Sequence, residues 1–128
     1  HVKIGEHVII GGMTRVHQFC KIGDHAMIGG GFRVVQDVPP FTLAGGEPLK
    51  YSGLNSIGLR RRGFTAATRK QIKQAYHLIY NSRLNKKQAL ERSGIYKKNK
   101  ASEAAKATMS ILRIFADRST TNLISSTE

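Results

Sequence analysis

The sequence lacks the residues from which several common classes of protein are built. It has one cysteine in 128 residues and no tryptophan, so disulfide frameworks and cysteine-based zinc sites are excluded. No apolar run reaches the roughly 18–20 residues of a membrane-spanning helix, and no segment has the pattern of a signal peptide. Since 40% of the residues are hydrophobic, the chain is too apolar for a disordered basic tail. We therefore expect a soluble, cytoplasmic protein.

Acidic residues are also scarce, and the excess positive charge lies in the second half of the sequence. Residues 1–58 carry five basic and four acidic side chains, a net charge of +1. Residues 59–128 carry 16 basic and four acidic side chains, a net charge of +12. Such an asymmetry indicates two modules with different partners. The basic half is either a solvated surface or an electropositive face for an acidic partner.

The first module is a repeat with a period of six residues. Neither the period of a helix nor that of an ordinary strand produces this spacing, which is typical of a hexapeptide parallel β-helix. Comparison of residues 1–18 with 19–36, one triangular coil apart, gives ten identities. We expect the recurring β-branched residues to line the interior of two stacked coils; they are Ile4, Ile10, Val16, Ile22, Ile28 and Val34.

The coils, residues 1–40, are expected to end at Pro39 and Pro40, which cannot donate hydrogen bonds to a sheet. Residues 41–63 are predicted to connect the two modules, and residues 41–58, which contain Gly-Gly, Pro and Ser-Gly turn signals, are predicted to be irregular. The six-residue pattern is already regular at His1. Two coils are also few for a solenoid, which generally needs about three or more repeats. We therefore expect the coils to continue upstream of this sequence.

The second module, residues 64–128, is predicted to be helical. An apolar stripe that runs from Ile72 to Tyr80 predicts an amphipathic helix over 65–81, with Thr65 as its N-cap.

Two further helices are predicted in this module, over 85–92 and from Ser102 onward. The Ser/Thr-rich residues 119–128 are expected to fray.

Two histidines repeat with the coils. His7 and His25 lie one coil apart, so their rings are predicted to stack on one face. Two histidines could supply half of a metal site, but no third ligand repeats with them. A solvent-facing ladder is therefore favoured, and no metal site is predicted. Cys20 occupies a small interior position, and we interpret it as packed rather than nucleophilic.

Several motifs, in order along the chain, carry a resemblance to a known family: IIGGMTRVHQFCKIGDHAMIGGG (9–31), QDVPPF (36–41), GLN (53–55) and GLRRRGF (58–64). The sequence resembles the C-terminal portion of bacterial UDP-N-acetylglucosamine O-acyltransferases. The order of VHQF, DVPP and RRGF is more specific than the hexapeptide repeat, which many acyltransferases share. The resemblance covers most of the chain and weakens after residue 82. It implies a left-handed parallel β-helix followed by an α-helical C-terminal domain.

The resemblance also implies an activity. The family's enzymes are homotrimers whose active sites lie between neighbouring β-helices. They move a 3-hydroxyacyl group from acyl carrier protein to the 3-hydroxyl of UDP-N-acetylglucosamine, the first step of lipid A biosynthesis. A sugar hydroxyl is a weak nucleophile at neutral pH, so the reaction needs a histidine general base and a donor to the thioester oxyanion. No covalent intermediate, metal or other cofactor is implied.

Part of the implied substrate site lies in the coils. By position, His1 corresponds to a histidine of the sugar and thioester site. His17 and Gln18 correspond to residues that contact the nucleotide sugar. Met27 and Gly30 fall where the family sets the length of the acyl chain, and a glycine at position 30 suggests a long chain.

The rest of the implied site follows the coils. Asn55, Arg61 and Arg62 correspond to groups that hold the uridine and the diphosphate, and paired arginines suit a diphosphate on chemical grounds as well. One departure is Ile57, where an acidic residue is expected.

The implied general base lies about one coil upstream of His1, so no catalytic residue is assigned within the sequence. We expect this chain alone to bind part of the substrate and to turn it over poorly.

The resemblance also implies a partner for the basic half of the sequence. We expect Lys86 and Lys87 to contribute to docking of the acidic acyl carrier protein. The N-acyltransferase of the same pathway is an alternative within the same fold. A nucleic-acid-binding module built on the +12 half is an alternative of another class, but Tyr76 and Tyr80 lie on the packing stripe of a helix rather than on a stacking platform. We therefore predict no nucleic-acid partner.

Overall fold

The structure is a computed structural model that describes residues 1–81 and 122–126. Six two-residue strands come first, followed by a pair of longer strands and two helices. The elements are β1 (Lys3–Ile4), β2 (Ile9–Ile10), β3 (Arg15–Val16), β4 (Lys21–Ile22), β5 (Met27–Ile28), β6 (Arg33–Val34), β7 (Thr42–Gly45), β8 (Lys50–Leu54), α1 (Ser56–Arg61) and α2 (Ala66–Asn81). The helices predicted over 85–92 and from Ser102 lie outside the described residues.

The six short strands stack as two coils in the predicted register. β1 pairs with β4, β2 with β5 and β3 with β6, all in parallel. The partners are one coil apart in sequence, as Ile4 is opposite Ile22 and Val16 is opposite Val34. The parallel pairing predicted from the six-residue period is therefore confirmed.

The aliphatic residues of the second coil form the core. Ile22 is 2% exposed, and Ile28 and Val34 are fully buried. Cys20 packs in the same cluster, as predicted, and its thiol lies 3.7 Å from the carbonyl oxygen of Val34. In the first coil, by contrast, Ile4 is 53% exposed. The prediction of a covered interior thus holds in full for the second coil only.

The stack of strands continues beyond Pro40, which corrects the predicted end of the coils. β7 pairs in parallel with β5, placing Met27 opposite Leu43, and pairs with β8 in the antiparallel direction. The irregular character predicted for residues 41–58 is therefore wrong, since that range contains β7, β8 and the start of α1. Its Gly and Pro signals mark the turn of a hairpin, residues 46–49.

The amphipathic helix predicted over 65–81 is confirmed as α2. The amide of Thr68 donates to Oγ1 of Thr65 at 3.1 Å, so Thr65 is the predicted N-cap. Ile72 and Tyr76 are fully buried, and the ring of Tyr76 stacks on that of Tyr51 in β8, 5.5 Å between ring centres. Neither α1 nor α2 combines the length and the apolarity that a membrane crossing would need.

Residues 122–126, which we call the closing segment, return to the coils. Leu123 forms a parallel bridge with Asp37, and the amide of Ile124 donates to the carbonyl of Asp37 at 3.1 Å. Leu123 and Ile124 are 5% and 1% exposed. The fraying expected for residues 119–128 is therefore wrong for the closing segment, because its two apolar side chains are buried.

Two tyrosines of α2 tie the helix to the rest of the fold. The hydroxyl of Tyr76 donates to the carbonyl of Pro40 at 2.6 Å, and that of Tyr80 donates to the carbonyl of Ile124 at 3.0 Å. Burial raises the pKa of both hydroxyls above the usual value for tyrosine. Both therefore remain protonated donors at neutral pH.

Candidate functional site

The turns between the short strands place side chains in columns along the edges of the coils. Four turn residues, His7, Met13, Phe19 and His25, have a positive φ between 55° and 68°. Residues at equivalent turns stack. The rings of His7 and His25 lie 5.0 Å apart, so the predicted histidine stack is confirmed. The ladder is only partly solvent-facing, because His25 is half-buried.

The first corner, which we define as residues 17–20 together with His1, contains three of the residues predicted to bind substrate. The ring of His1 stacks on that of Phe19 with their centres 5.1 Å apart, and His17 and Gln18 immediately precede Phe19. The amide of His17 donates to the carbonyl of Val34 at 2.8 Å, which fixes the turn against the next coil. The side chains of His1, His17 and Gln18 are all exposed, so this corner presents two imidazoles and an amide to solvent.

The residues predicted to line an acyl pocket lie on a different face. Met27 is 39% exposed and stands opposite Ile9 of the preceding coil, which is 52% exposed. Gly30 lies in the next turn, where an added Cβ atom would be 3.0 Å from the carbonyl oxygen of Gly12. The outward side of this face is therefore apolar, and position 30 has little room for any side chain.

The second corner, residues 23–26, carries the start of α1. Asn55 is 5% exposed and is the N-cap of α1, accepting at Oδ1 from the amide of Gly58 at 3.3 Å. Its Nδ2 donates to the carbonyl of His25 at 2.9 Å. The residue predicted to contact a uridine is thus also a helix cap. Sequence reasoning missed this role, although asparagine is among the favoured N-cap residues.

α1 ends in three exposed arginines, residues 60–62. The first turn of the helix contains no acidic residue. Ile57, where the resemblance implied one, is 65% exposed. Neighbouring guanidinium groups on an exposed helix end offer planar N–H donors that suit a phosphate or diphosphate.

An aromatic cluster connects the second corner to the residues that follow α1. The ring of His25 stacks on Phe41 with ring centres 5.7 Å apart and packs against Phe64 in a T-shaped arrangement at 5.0 Å. Burial lowers the pKa of His25 from its ordinary value of 6.5, and the nearby charges of His7 and Arg62 lower it further. The coil spacing predicted the contact with His7 but not those with Phe41 and Phe64, which do not follow the 18-residue repeat.

The structure thus brings the predicted residues together in separate groups rather than in one cleft. The first corner has His1, His17 and Gln18, the second corner has Asn55, Arg61 and Arg62, and the apolar face has Met27 and Gly30. Lys86 and Lys87 lie outside the described residues. Over residues 1–81 and 122–126, no three His, Cys, Asp or Glu side chains are grouped as metal ligands would be.

Comparison with known families gives one match that covers most of the chain. A family model described as UDP-N-acetylglucosamine O-acyltransferase, domain 2, matches residues 37–123. That range includes β7, β8, α1, α2 and the first two residues of the closing segment.

The chain is also similar to curated proteins named acyl-[acyl-carrier-protein]–UDP-N-acetylglucosamine O-acyltransferase. The protein of Herminiimonas arsenicoxydans is 41% identical over 124 residues, which cover 97% of this chain and 47% of that protein. The protein of Verminephrobacter eiseniae is 49% identical over 84 residues, which cover 66% of this chain and 32% of that protein. The chain therefore spans less than half the length of these relatives.

Solved structures show the same architecture. A UDP-N-acetylglucosamine acyltransferase from Bacteroides fragilis superposes with a TM-score of 0.80 at 37% identity, covering 96% of this chain and 46% of that one. The corresponding enzyme of Francisella novicida gives a TM-score of 0.82 at 31% identity, covering 100% of this chain and 45% of that one. The coils, the hairpin and α2 thus occur together in solved acyltransferases.

Proposed function

The chain belongs to the UDP-N-acetylglucosamine O-acyltransferase family, and from this premise we propose that the protein transfers a 3-hydroxyacyl group from acyl carrier protein to the 3-hydroxyl of UDP-N-acetylglucosamine. This reaction is the first step of lipid A biosynthesis. The names of the curated relatives support the donor and the acceptor. The observation that carries the proposal is the exposed arginine end of α1, which Asn55 fastens to the second corner of the coils.

Arg61 and Arg62 are proposed to hold the diphosphate. Their guanidinium groups keep their charge at any physiological pH and can donate two parallel hydrogen bonds to phosphate oxygens. Asn55 is proposed to set the direction of the helix that carries them, because it caps α1 and bonds to the coils at the same time. His1, His17 and Gln18 of the first corner are proposed to contact the sugar and the rest of the nucleotide.

The proposed chemistry is a single acyl transfer. The 3-hydroxyl oxygen of the sugar attacks the thioester carbonyl, its proton passes to a histidine general base, and the carbon–sulfur bond breaks to release the carrier thiol as an ester forms. The resemblance places that base about one coil before His1, so none of the 128 residues is proposed as the base. No metal or cofactor is needed for this step.

A homotrimer is part of the proposal. His17 and Arg62 lie at different corners of the coils, so a site that uses both groups is completed when corners of neighbouring subunits face each other. We also propose that the coils are left-handed and that residues 64–128 form an α-helical domain. The proposed location is the cytoplasm.

Lys86 and Lys87 are proposed to dock the acidic carrier protein. Charge complementarity of this kind accelerates association and weakens as salt is added. Exchanging both lysines for glutamate should slow carrier-protein binding at low ionic strength without changing the affinity for UDP-N-acetylglucosamine. Unchanged association kinetics in the Lys86→Glu, Lys87→Glu variant would refute this docking site.

The proposed function is tested by binding and turnover of the complete gene product. We expect saturable binding of UDP-N-acetylglucosamine by titration calorimetry and formation of the 3-O-acylated product by mass spectrometry. Arg62→Ala should raise the Kd about 10- to 150-fold, because a hydrogen bond to a charged group is worth about 1.5–3 kcal/mol. Lys70→Ala, which removes an exposed cation from α2, is the matched control and should leave the Kd unchanged.

Two results would contradict the proposal. One is a complete gene product that neither binds the nucleotide sugar nor acylates it. The other is an equal loss of affinity in Arg62→Ala and Lys70→Ala, which would indicate a general effect of positive charge rather than a site at the end of α1.

A further inference from the structure

His25 contacts the chain at both ends of α1. Before the helix, Nδ2 of Asn55 donates to the carbonyl of His25 at 2.9 Å, while Oδ1 of Asn55 caps the helix. After the helix, the ring of Phe64 meets the imidazole in a T-shaped arrangement with ring centres 5.0 Å apart. The short helix that carries the arginines is thus attached to one residue of the coils at its start and just beyond its end.

The imidazole is itself held in place by the coils. The amide of His25 donates to the carbonyl of Glu6 at 2.8 Å, and the ring lies between those of His7 and Phe41. The backbone of His25 is in the left-handed region, at φ 59°. The ring therefore offers Phe64 a fixed surface rather than a mobile side chain.

The charges that face this imidazole disfavour its protonation. Burial is the main cause that lowers the pKa of His25, and the electrostatic effects of His7 and Arg62 act in the same direction. Asp24 and Glu6 act in the opposite direction but do not reverse the shift. His25 is therefore neutral at neutral pH, and protonation would place a cation beside the arginine end of α1.

We propose that His25 is a positioning residue for Arg61 and Arg62, and that it acts in this way only as the neutral imidazole. It acts through Asn55 and Phe64 and needs no contact with substrate. A charged ring repels Arg62, which lets the arginine end of α1 move. The inference rests on the proposed role of α1 in holding the nucleotide sugar.

Three variants of the complete gene product distinguish the effect of the His25 ring from the effect of its protonation. His25→Asn removes the ring while tolerating the left-handed backbone. His25→Phe keeps an aromatic ring that cannot be protonated. His7→Asn is the matched control, since it removes the same side chain from the same column one coil away, at a similar φ of 55°.

At neutral pH, His25→Asn should raise the KM and the Kd for UDP-N-acetylglucosamine about three- to tenfold, the range expected for loss of an aromatic contact. The kcat should change by less than about twofold, because a positioning residue for the nucleotide end does not touch the reacting atoms. His25→Phe should restore most of the affinity. His7→Asn should raise the Kd less than His25→Asn does, because it leaves the contact between His25 and Phe64 in place.

The dependence of the Kd on pH tests the proposal, because a purely structural role of His25 would not change that dependence. As the pH falls from about 7.5 to about 5.5, the range in which histidines titrate, the Kd of the natural protein should rise more steeply than that of His25→Phe. In His7→Asn the rise should begin at higher pH, because one of the charges that lowers the pKa of His25 is gone. Identical profiles for the natural protein and His25→Phe would overturn the proposal.

Hydrogen exchange distinguishes failure of this inference from failure of the proposed function. The amides of Arg62 and Phe64 donate to carbonyls of α1 and should exchange faster in His25→Asn than in His7→Asn, whether or not a ligand binds. If the natural protein does not bind the nucleotide sugar, the proposed function fails while this exchange result still tests the anchoring of α1. Equal exchange rates in both variants would contradict the proposal that His25 anchors α1. If His25→Asn does not fold, the dependence of the Kd on pH in His25→Phe tests the proposal instead.

Discussion

At the scale of single residues, the unusual feature is a set of non-glycine residues in the left-handed backbone region. Four of them, His7, Met13, Phe19 and His25, follow one another at intervals of six residues, so the strain recurs with the repeat. A left-handed conformation costs an L-residue about 1–2 kcal/mol. At Phe19 and His25 the ring contacts offset part of that cost, whereas the side chain of Met13 is 89% exposed. The equivalent position one coil later is Gly31, with φ 77°.

Met13→Gly should therefore stabilise the protein. Relief of the left-handed strain exceeds the entropic cost of a glycine, so we expect the free energy of unfolding to rise by about 0.5–1 kcal/mol in urea denaturation. Met13→Ala keeps a Cβ atom and should show no gain. A stabilisation that is equal in the two variants would mean that loss of an exposed apolar side chain, and not backbone strain, is responsible.

The lowered pKa of His25 predicts how stability depends on pH. Above pH 6.5 the residue is neutral in both the folded and the unfolded protein. As the pH falls below 6.5, the unfolded chain binds the proton first, so the free energy of unfolding decreases until the pH drops below the folded pKa. Urea denaturation at a series of pH values should show a smaller decrease in His25→Phe than in the natural protein. Equal decreases would contradict the assignment.

At the scale of elements, the sequence predicted the short strands well and the hairpin poorly, for a physical reason. The six-residue period reports which side chains point inward, so it predicted the register that pairs Val16 with Val34. β7 departs from that period, since Leu43 lies opposite Met27, only 16 residues away. Turn-forming residues then suggested irregular structure, although turn signals are equally typical of the loop in a hairpin.

In the candidate site, too, the sequence predicted local features but not contacts between residues that are far apart in the chain. The motif around Arg61 and Arg62 predicted an exposed basic group, and both side chains are exposed at the end of α1. Neither motif nor spacing predicted that Phe64 would meet His25, 39 residues earlier in the sequence. Such a contact depends on how α1 packs on the coils, and sequence periodicity carries no information about that packing.

Close stacking of the coils predicts a sharp difference between two adjacent glycines. A Cβ atom added at Gly11 would lie 2.5 Å from Cα of Gly30, whereas one added at Gly12 would have no atom within 4 Å. Gly11→Ala should lower the free energy of unfolding by about 1–3 kcal/mol, because the coils must separate locally. Gly12→Ala should stay within about 0.5 kcal/mol of the natural protein. Similar chemical denaturation midpoints for the two variants would argue against the stacking described.

At the scale of the whole molecule, the closing segment joins parts of the fold that are distant in sequence. Ile124 belongs to the same core cluster as Ile28 and Val34, and Ser126 bridges to Tyr51 of the hairpin. Composition could not reveal this, because two apolar residues among serines and threonines give no local periodicity. Their burial becomes evident only when the chain returns to the coils.

Ile124→Ala should therefore destabilise the entire domain. Loss of a buried isoleucine typically costs about 2–5 kcal/mol, and the coils and α2 should unfold together with a lowered midpoint in thermal and chemical denaturation. Ser125→Ala alters the exposed neighbour, leaves its backbone hydrogen bond to Tyr51 in place, and should be neutral. Local loosening of the segment in Ile124→Ala, with the coils as stable as before, would contradict this expectation.

The position of Ile124 also sets an order of events during protein synthesis. The carbonyl that accepts from Tyr80 belongs to a residue 44 positions later in the chain. At a translation rate of about 5–20 residues per second, a ribosome needs roughly 2–9 s to make those 44 residues. Throughout that interval, the core of the nascent coils lacks the side chain of Ile124. A chain that ends before residue 124 would therefore lack one buried side chain of the core cluster.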